Sequence, residues 1–238
     1  SEGEDRDSRK RSAAGNYIFY SDPEILVERV LSLRDKYRFN HMQLIDENMP
    51  TMPLGELERL AEVWNEYLNT SDNPITFFTM SRPEYLIKRY QSGAAKGKYL
   101  DDEGKALSSG KAELIRSMGC TTVAMGAESG SEWLRSEILN RPMETGILEA
   151  GARVLMDAGI QVSLYNIIGF PFETREMMFE TIDQLWRIKP DRYSVRHLTP
   201  YPGTALRVLS VNNKFISDNY EDSHDGAKSF LHEPVLKL

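Results

Sequence analysis

Apolar residues recur every three to four positions in some stretches of this chain and run almost without interruption in others. The first pattern predicts amphipathic helices, the second buried strands. Ser21-Asp22-Pro23-Glu24 is a helix-start signal: a capping side chain, then proline in the first turn and an acid at the positive end of the helix dipole. Ile25, Leu26, Val30 and Leu33 then share a face, which predicts a helix to about Tyr37. HMQLIDEN (41–48) reads as a short strand ending in charge, LGELERLAEVWNEYL (54–68) as an amphipathic helix, and ITFFTM (75–80) as the next strand. SRPEYLIKRY predicts another helix. The polar, glycine-dotted stretch 92–110 then reads as an insertion or flexible excursion before KAELIRSMG resumes it.

The two units that follow almost repeat each other. AELIRSMGCTTVAMGAES and ARVLMDAGIQVSLYNIIGF each predict a helix, a glycine at its end, and a buried strand. Gly119 and Gly159 fit the left-handed cap before a short connection. A helix over 174–187 starts at Thr174, and RYSVRHLTP (192–200) supplies a last strand. Residues 1–16 have no periodicity and read as a solvated arm; 17–210 form the core unit, and 211–238 an extension without a readable motif.

The order is a helix, then strand and helix in alternation, which implies parallel strands with right-handed crossovers. Alternation alone does not separate a barrel from an open sheet. Strand starts near 41, 75, 121, 161 and 192 keep barrel-like spacing once 92–110 is discounted.

Composition narrows the function. The 238 residues suffice for one large domain with a full core. No run of about 18 apolar residues predicts a membrane span, and no secretory or lipidation signal is visible, so a cytoplasmic location is expected. A net charge of -7 argues against a nucleic-acid surface, which needs clustered Lys and Arg. Cys120 is the only cysteine, so a multi-cysteine metal cage is excluded, and it reads as a small buried hydrophobe.

In parallel α/β folds the site lies at the carboxyl ends of the strands. Here those ends read Asp46-Glu47-Asn48, Ser81-Arg82, Glu128-Ser129-Gly130-Ser131, Asn166 with Gly169-Phe170-Pro171, and Arg196-His197. Each has a plain structural alternative. The acidic triplet and Glu128 fit helix caps, Gly169 and Pro171 a turn, Arg82 the surface, and His197 the core. Their coincidence at one rim is what points to a bound small molecule.

With these motifs in order, the chain resembles the radical S-adenosylmethionine superfamily, in particular its branch associated with cobalamin-binding domains. The matching stretches are LIDENM (44–49), MGAESGSEWL (125–134), IIGFPFET (167–174) and PYPGTAL (200–206). The resemblance implies a partial TIM-type (β/α) barrel. The family's Cys-x-x-x-Cys-x-x-Cys loop, which holds a [4Fe-4S] cluster, has no counterpart here. The resemblance therefore implies a fragment without the first strand and cysteine loop.

The whole protein would then cleave S-adenosylmethionine reductively to a 5'-deoxyadenosyl radical and abstract hydrogen from a substrate. By the same resemblance Asp46, Glu47 and Asn48 face the cofactor's amino group, and Glu128 and Ser129 its ribose and methionine polar atoms. The backbone from Ile167 through Gly169 to Pro171 lies against adenine with Asn166 pointing inward beside it, and Arg196 and His197 touch cofactor or substrate. Arg82 is assigned, from charge and location, to the methionine carboxylate. Implied partners are an electron donor such as flavodoxin or ferredoxin and a small-molecule, lipid or peptide substrate; acidic charge disfavours transfer RNA. Cobalamin is a candidate second cofactor. The competing expectations are a cluster-less binding module with a nucleotide-like ligand and, last, an ordinary barrel using Glu47 or Glu128 as a base.

Overall fold

The computed structural model describes residues 10–11, 19–45, 49–69, 74–144, 146–216 and 236. Asp46, Glu47 and Asn48 lie outside these. A two-residue ribbon pairs Lys10–Arg11 with Phe19–Tyr20, within and just beyond the stretch read as an arm. Helix α1 (Pro23–Tyr37) follows, with Asp22 as its cap accepting from the Glu24 N–H at 3.2 Å.

Five strands then form one sheet: β1 (His41–Gln43), β2 (Thr76–Met80), β3 (Cys120–Glu128), β4 (Gln161–Ile168) and β5 (Arg192–His197). All pair in parallel, each with its neighbour in sequence. This order settles what alternation left open. An open doubly wound sheet reverses direction at a switch point, whereas five strands taken in strict order make a curled half-barrel.

Helices α2 (Leu54–Tyr67), α3 (Lys111–Ser117), α4 (Ile147–Asp157) and α5 (Arg175–Ile188) make the crossovers, and α6 (Ala205–Asn212) follows β5. They share a core with one face of the sheet, built from Leu57, Leu60 and Trp64 of α2, Ile115 of α3, Val154 and Leu155 of α4, and Phe77, Val123, Met125, Val162 and Leu164 of the strands. Trp64 meets Phe77 edge-on at 5.3 Å. Cys120 belongs to this core, and burial pushes its thiol up to about 12. The expected glycine caps form: Gly119 stands at φ +95 and Gly159 at φ +74.

One predicted helix is absent. SRPEYLIKRY makes a single 3-10 turn, Pro83–Tyr85, and then a short strand, Ile87–Lys88, paired antiparallel with Leu107–Ser108. The stretch between them is a folded excursion. Leu100 bridges Ala106, and the Tyr90 hydroxyl donates to Asp101 (3.2 Å) and to the Lys105 carbonyl (3.1 Å). Lys111–Ser117 therefore begins a new helix and does not resume an old one.

A second, smaller core lies beyond the strand ends. Leu134, Phe170, Leu198, Ile216 and Leu236 form it, with Leu206 and Phe215 packed against them.

Candidate functional site

The face of the sheet turned away from the helices borders a cavity of about 750 Å³, lined from β2 (Met80), β3 (Ala124, Gly126, Glu128), β4 (Tyr165, Ile167) and β5 (Ser194, Arg196). Residues after β5, among them Leu198, Thr199 and Tyr201, complete the wall. Register explains this selection. Met80 pairs with Ala124, Gly126 with Tyr165, Tyr165 with Ser194, and Ile167 with Arg196, so neighbours in the ladder present the same face.

Gly-x-Glu in β3 has a geometric reason. Between Gly126 and Glu128 the pairing to β4 shifts by one residue, and Glu128 stands in the left-handed region at φ +60. A bulge of this kind re-aims a side chain. The Glu128 carboxylate folds back over Gly126 and accepts from the Arg141 guanidinium at 2.5 Å. A β-carbon at position 126 would lie 2.5 Å from Glu128 Oε1 and 3.0 Å from Arg141 Nη1. Glycine is what lets the ion pair lie against the strand.

Ser129, Gly130 and Ser131 turn the other way. Ser129 is fully buried; its Oγ accepts from the Ser131 N–H at 3.1 Å and lies 3.4 Å from the Thr181 hydroxyl. Gly130 donates to Thr181 Oγ1 at 2.8 Å, and a β-carbon on it would overlap the α5 backbone at Glu180 and Thr181. Arg135, on the one-turn π-helix Leu134–Ile138, is buried and donates to the Ser129 carbonyl at 2.6 Å. The Ser-Gly-Ser run thus anchors the loop to α5 and leaves Glu128 at the cavity wall.

Gly169 and Pro171 are likewise outside the lining residues. Gly169 stands at φ +82, and its N–H and that of Phe170 both donate to the Glu173 carboxylate. Glu173 is buried with Oε1 unpartnered, and burial raises its carboxyl above the usual range, opposed by those two donors. Its role is to tie the turn.

Asn166 borders the cavity from the other side of β4. Alternation gives it the face of Val162 and Leu164, and it is fully buried with neither amide atom hydrogen-bonded. The other cavity residues with unpartnered buried atoms are His197 (Nδ1) and Thr199 (Oγ1). Such atoms each carry a desolvation cost of about 1–3 kcal/mol unless a polar partner meets them. They fit a ligand bearing several donors and acceptors. Arg82 reaches the cavity from the end of β2 while paired with Glu84 at 2.8 Å.

Of the expected site residues, then, Arg82, Glu128, Asn166, Arg196 and His197 converge on one cavity, while Ser129 and Gly169 hold the loops behind it and Pro171 is buried outside its lining. Arg141, Tyr165 and Thr199 were not anticipated. Arg141 lies 13 residues beyond Glu128, in a segment with no motif of its own. For Tyr165 a signal existed, since alternation in β4 puts Ser163 and Tyr165 on the face opposite the apolar Val162 and Leu164. Among the described residues no group of three or more His, Cys, Asp or Glu is placed to hold a metal ion. The single cysteine is in the core, so the residues present do not fit a thiolate-bound iron–sulfur cluster.

No protein-family model matches the chain. It is 30% identical over 128 residues to an uncharacterized methyltransferase of Pyrococcus horikoshii, covering 53% of this chain and 26% of that protein. It is 27% identical over 94 residues to the anaerobic magnesium-protoporphyrin IX monomethyl ester cyclase of Cereibacter sphaeroides, covering 40% of this chain and 15% of that one. Among solved structures it is similar to the radical S-adenosylmethionine methyltransferase TsrM of Kitasatospora setae, solved with cobalamin and a [4Fe-4S] cluster, with a TM-score of 0.59 at 17% identity. That similarity covers 84% of this chain and 33% of TsrM. The matched stretches are thus a third or less of each of these proteins. Strand order, cavity position and these similarities agree that the chain has the partial-barrel fold of the radical S-adenosylmethionine enzymes.

Proposed function

We propose that this chain is the cofactor-holding wall of a radical S-adenosylmethionine enzyme. The thiolates of the cluster would come from outside these residues. The observation that carries the reading is Asn166: a fully buried amide with both ends unpartnered, at the edge of a cavity framed by the carboxyl ends of four parallel strands. S-adenosylmethionine is rich in donors and acceptors, and bound in a complete enzyme it supplies the carbon radical that takes hydrogen from a substrate.

The chain's own residues would bind and orient it. The Glu128 carboxylate, held by Arg141, accepts from hydroxyl or ammonium protons. Asn166, His197 and Thr199 offer donors and acceptors, and the smaller core of Leu134, Phe170 and Leu198 keeps water from that end. In this reading Asp46, Glu47 and Asn48 add contacts to the amino group. Substrate, electron donor and any use of cobalamin, which TsrM binds, belong to the whole protein.

Calorimetric titration of the chain with S-adenosylmethionine tests the proposal. Saturable one-to-one binding is expected, weakened about tenfold or more by Glu128→Gln and by Asn166→Leu, each first shown to be folded. Absence of binding, or binding indifferent to both substitutions, would sink it. A three-cysteine loop in the coding sequence upstream of Ser1 would separate the enzyme from a cluster-less binding module, which should bind the ligand yet lack the loop.

A further inference from the structure

The cavity presents an aromatic ring and a cation from adjacent strands, Tyr165 of β4 and Arg196 of β5, and the resemblance leaves open whether the arginine meets cofactor or substrate. Tyr165 is 40% exposed. Its register partners on the same face are Gly126, which has no side chain, and Ser194, which has a small one. No bulky neighbour along the ladder covers the ring. One step further along β5, on the same face, stands Arg196. Its Nε donates to Ser194 Oγ at 3.1 Å, which directs the guanidinium back along the strand.

Charge balance singles out Arg196 among the arginines of the cavity. Arg141 is matched by Glu128 and Arg82 by Glu84. Among the described residues no carboxylate lies within 4.0 Å of Arg196, in a protein whose net charge is -7. With Nε engaged by Ser194, the terminal N–H groups remain as one flat, two-donor edge. That edge matches the two oxygens of a carboxylate, and a single positive charge matches a monoanion.

We propose that Tyr165 and Arg196 form the substrate subsite of this cavity, and that the substrate class is a flat aromatic or conjugated molecule bearing a carboxylate. The ring stacks on Tyr165, and the acid pairs with the Arg196 edge. This rests on the reading of the cavity as a small-molecule site, but it does not require the ligand at Glu128 to be S-adenosylmethionine.

The test uses 2-naphthoate and its neutral twin 2-naphthamide as probes, titrated into the whole chain and read by ligand-observed NMR, with S-adenosylmethionine affinity measured separately. The acid is expected to bind about tenfold more tightly than the amide at low salt, a margin that shrinks as ionic strength rises. Arg196→Gln should erase the margin and leave amide affinity unchanged. Tyr165→Leu should weaken both probes about equally. Both residues are exposed enough that neither change touches the core.

Equal affinity for the two probes, no binding of either, or a margin that survives Arg196→Gln would overturn the proposal even if S-adenosylmethionine binds. Loss of S-adenosylmethionine binding in Arg196→Gln with the margin intact would assign the arginine to the cofactor instead, and would also overturn it. Naphthoate preference without S-adenosylmethionine binding would leave this proposal standing and remove the cofactor reading.

Discussion

Glycine at position 126 and glutamate at 128 are one device, since the first makes room for the carboxylate of the second. Gly126→Ala should therefore lower stability by about 1–3 kcal/mol, as overpacking does, in urea unfolding. Paired with Glu128→Gln the two losses should be clearly less than additive, because the amide no longer anchors Arg141. The ion pair itself is about a quarter exposed on each side, so a double-mutant cycle of Glu128 with Arg141 should return no more than about 1 kcal/mol. Glu173 makes a prediction in pH. Burial raises its folded-state carboxyl above the ordinary value of 4.5, so its contribution favours the folded state most below that value. The contribution is lost as pH rises through the raised one. Glu173→Gln, which keeps an acceptor for Gly169 and Phe170, should raise the melting temperature at pH 7 and have little effect near pH 4. Glu128 was legible in the sequence because it ends a buried run in a charge. Arg141 was not, since nothing local marks a partner 13 residues on, beyond the π-helix Leu134–Ile138.

The elements that read most clearly are those whose caps and periodicity agree. Asp22-Pro23 starts α1, Thr174 starts α5 by accepting from the Met177 N–H at 3.4 Å, and strands begin at 41, 76, 120, 161 and 192 as their apolar runs suggest. The miss at SRPEYLIKRY has a tertiary cause. Ile87 and Lys88 pair antiparallel with Ser108 and Leu107 across some twenty residues, a long-range ladder that overrides the local helical pattern. The 3-10 turn before it is held down by α4: a β-carbon on Gly151 would lie 2.7 Å from Pro83 Cβ. Helix propensity alone would make Gly151→Ala stabilising by about 1 kcal/mol. The crowding reverses the sign, and chemical denaturation should show a net loss of about 1–2 kcal/mol.

At the scale of the molecule, parallel alternation gave the layers, whereas the strict order β1 to β5 and the depth of the cavity depend on pairings that no single segment encodes. The sheet is well protected in its middle and thin at its first edge. β1 is three residues long, pairs only with β2 among the described residues, and exposes His41 and Gln43. Its amides should exchange with deuterium orders of magnitude faster than those of Val162 to Leu164, which lie between β3 and β5. Equal protection would mean that another segment covers this edge. Three sites where the chain gives up stability gather at the carboxyl end of the sheet: Glu128 in a left-handed backbone, Asn166 with an unpartnered amide, and Glu173 with a buried oxygen. A library selected only for heat resistance, with no ligand and no assay, should therefore accumulate glycine or asparagine at 128 and apolar residues at 166. The positions it overwrites first would outline the binding surface, drawn by the losses that a function had kept in place.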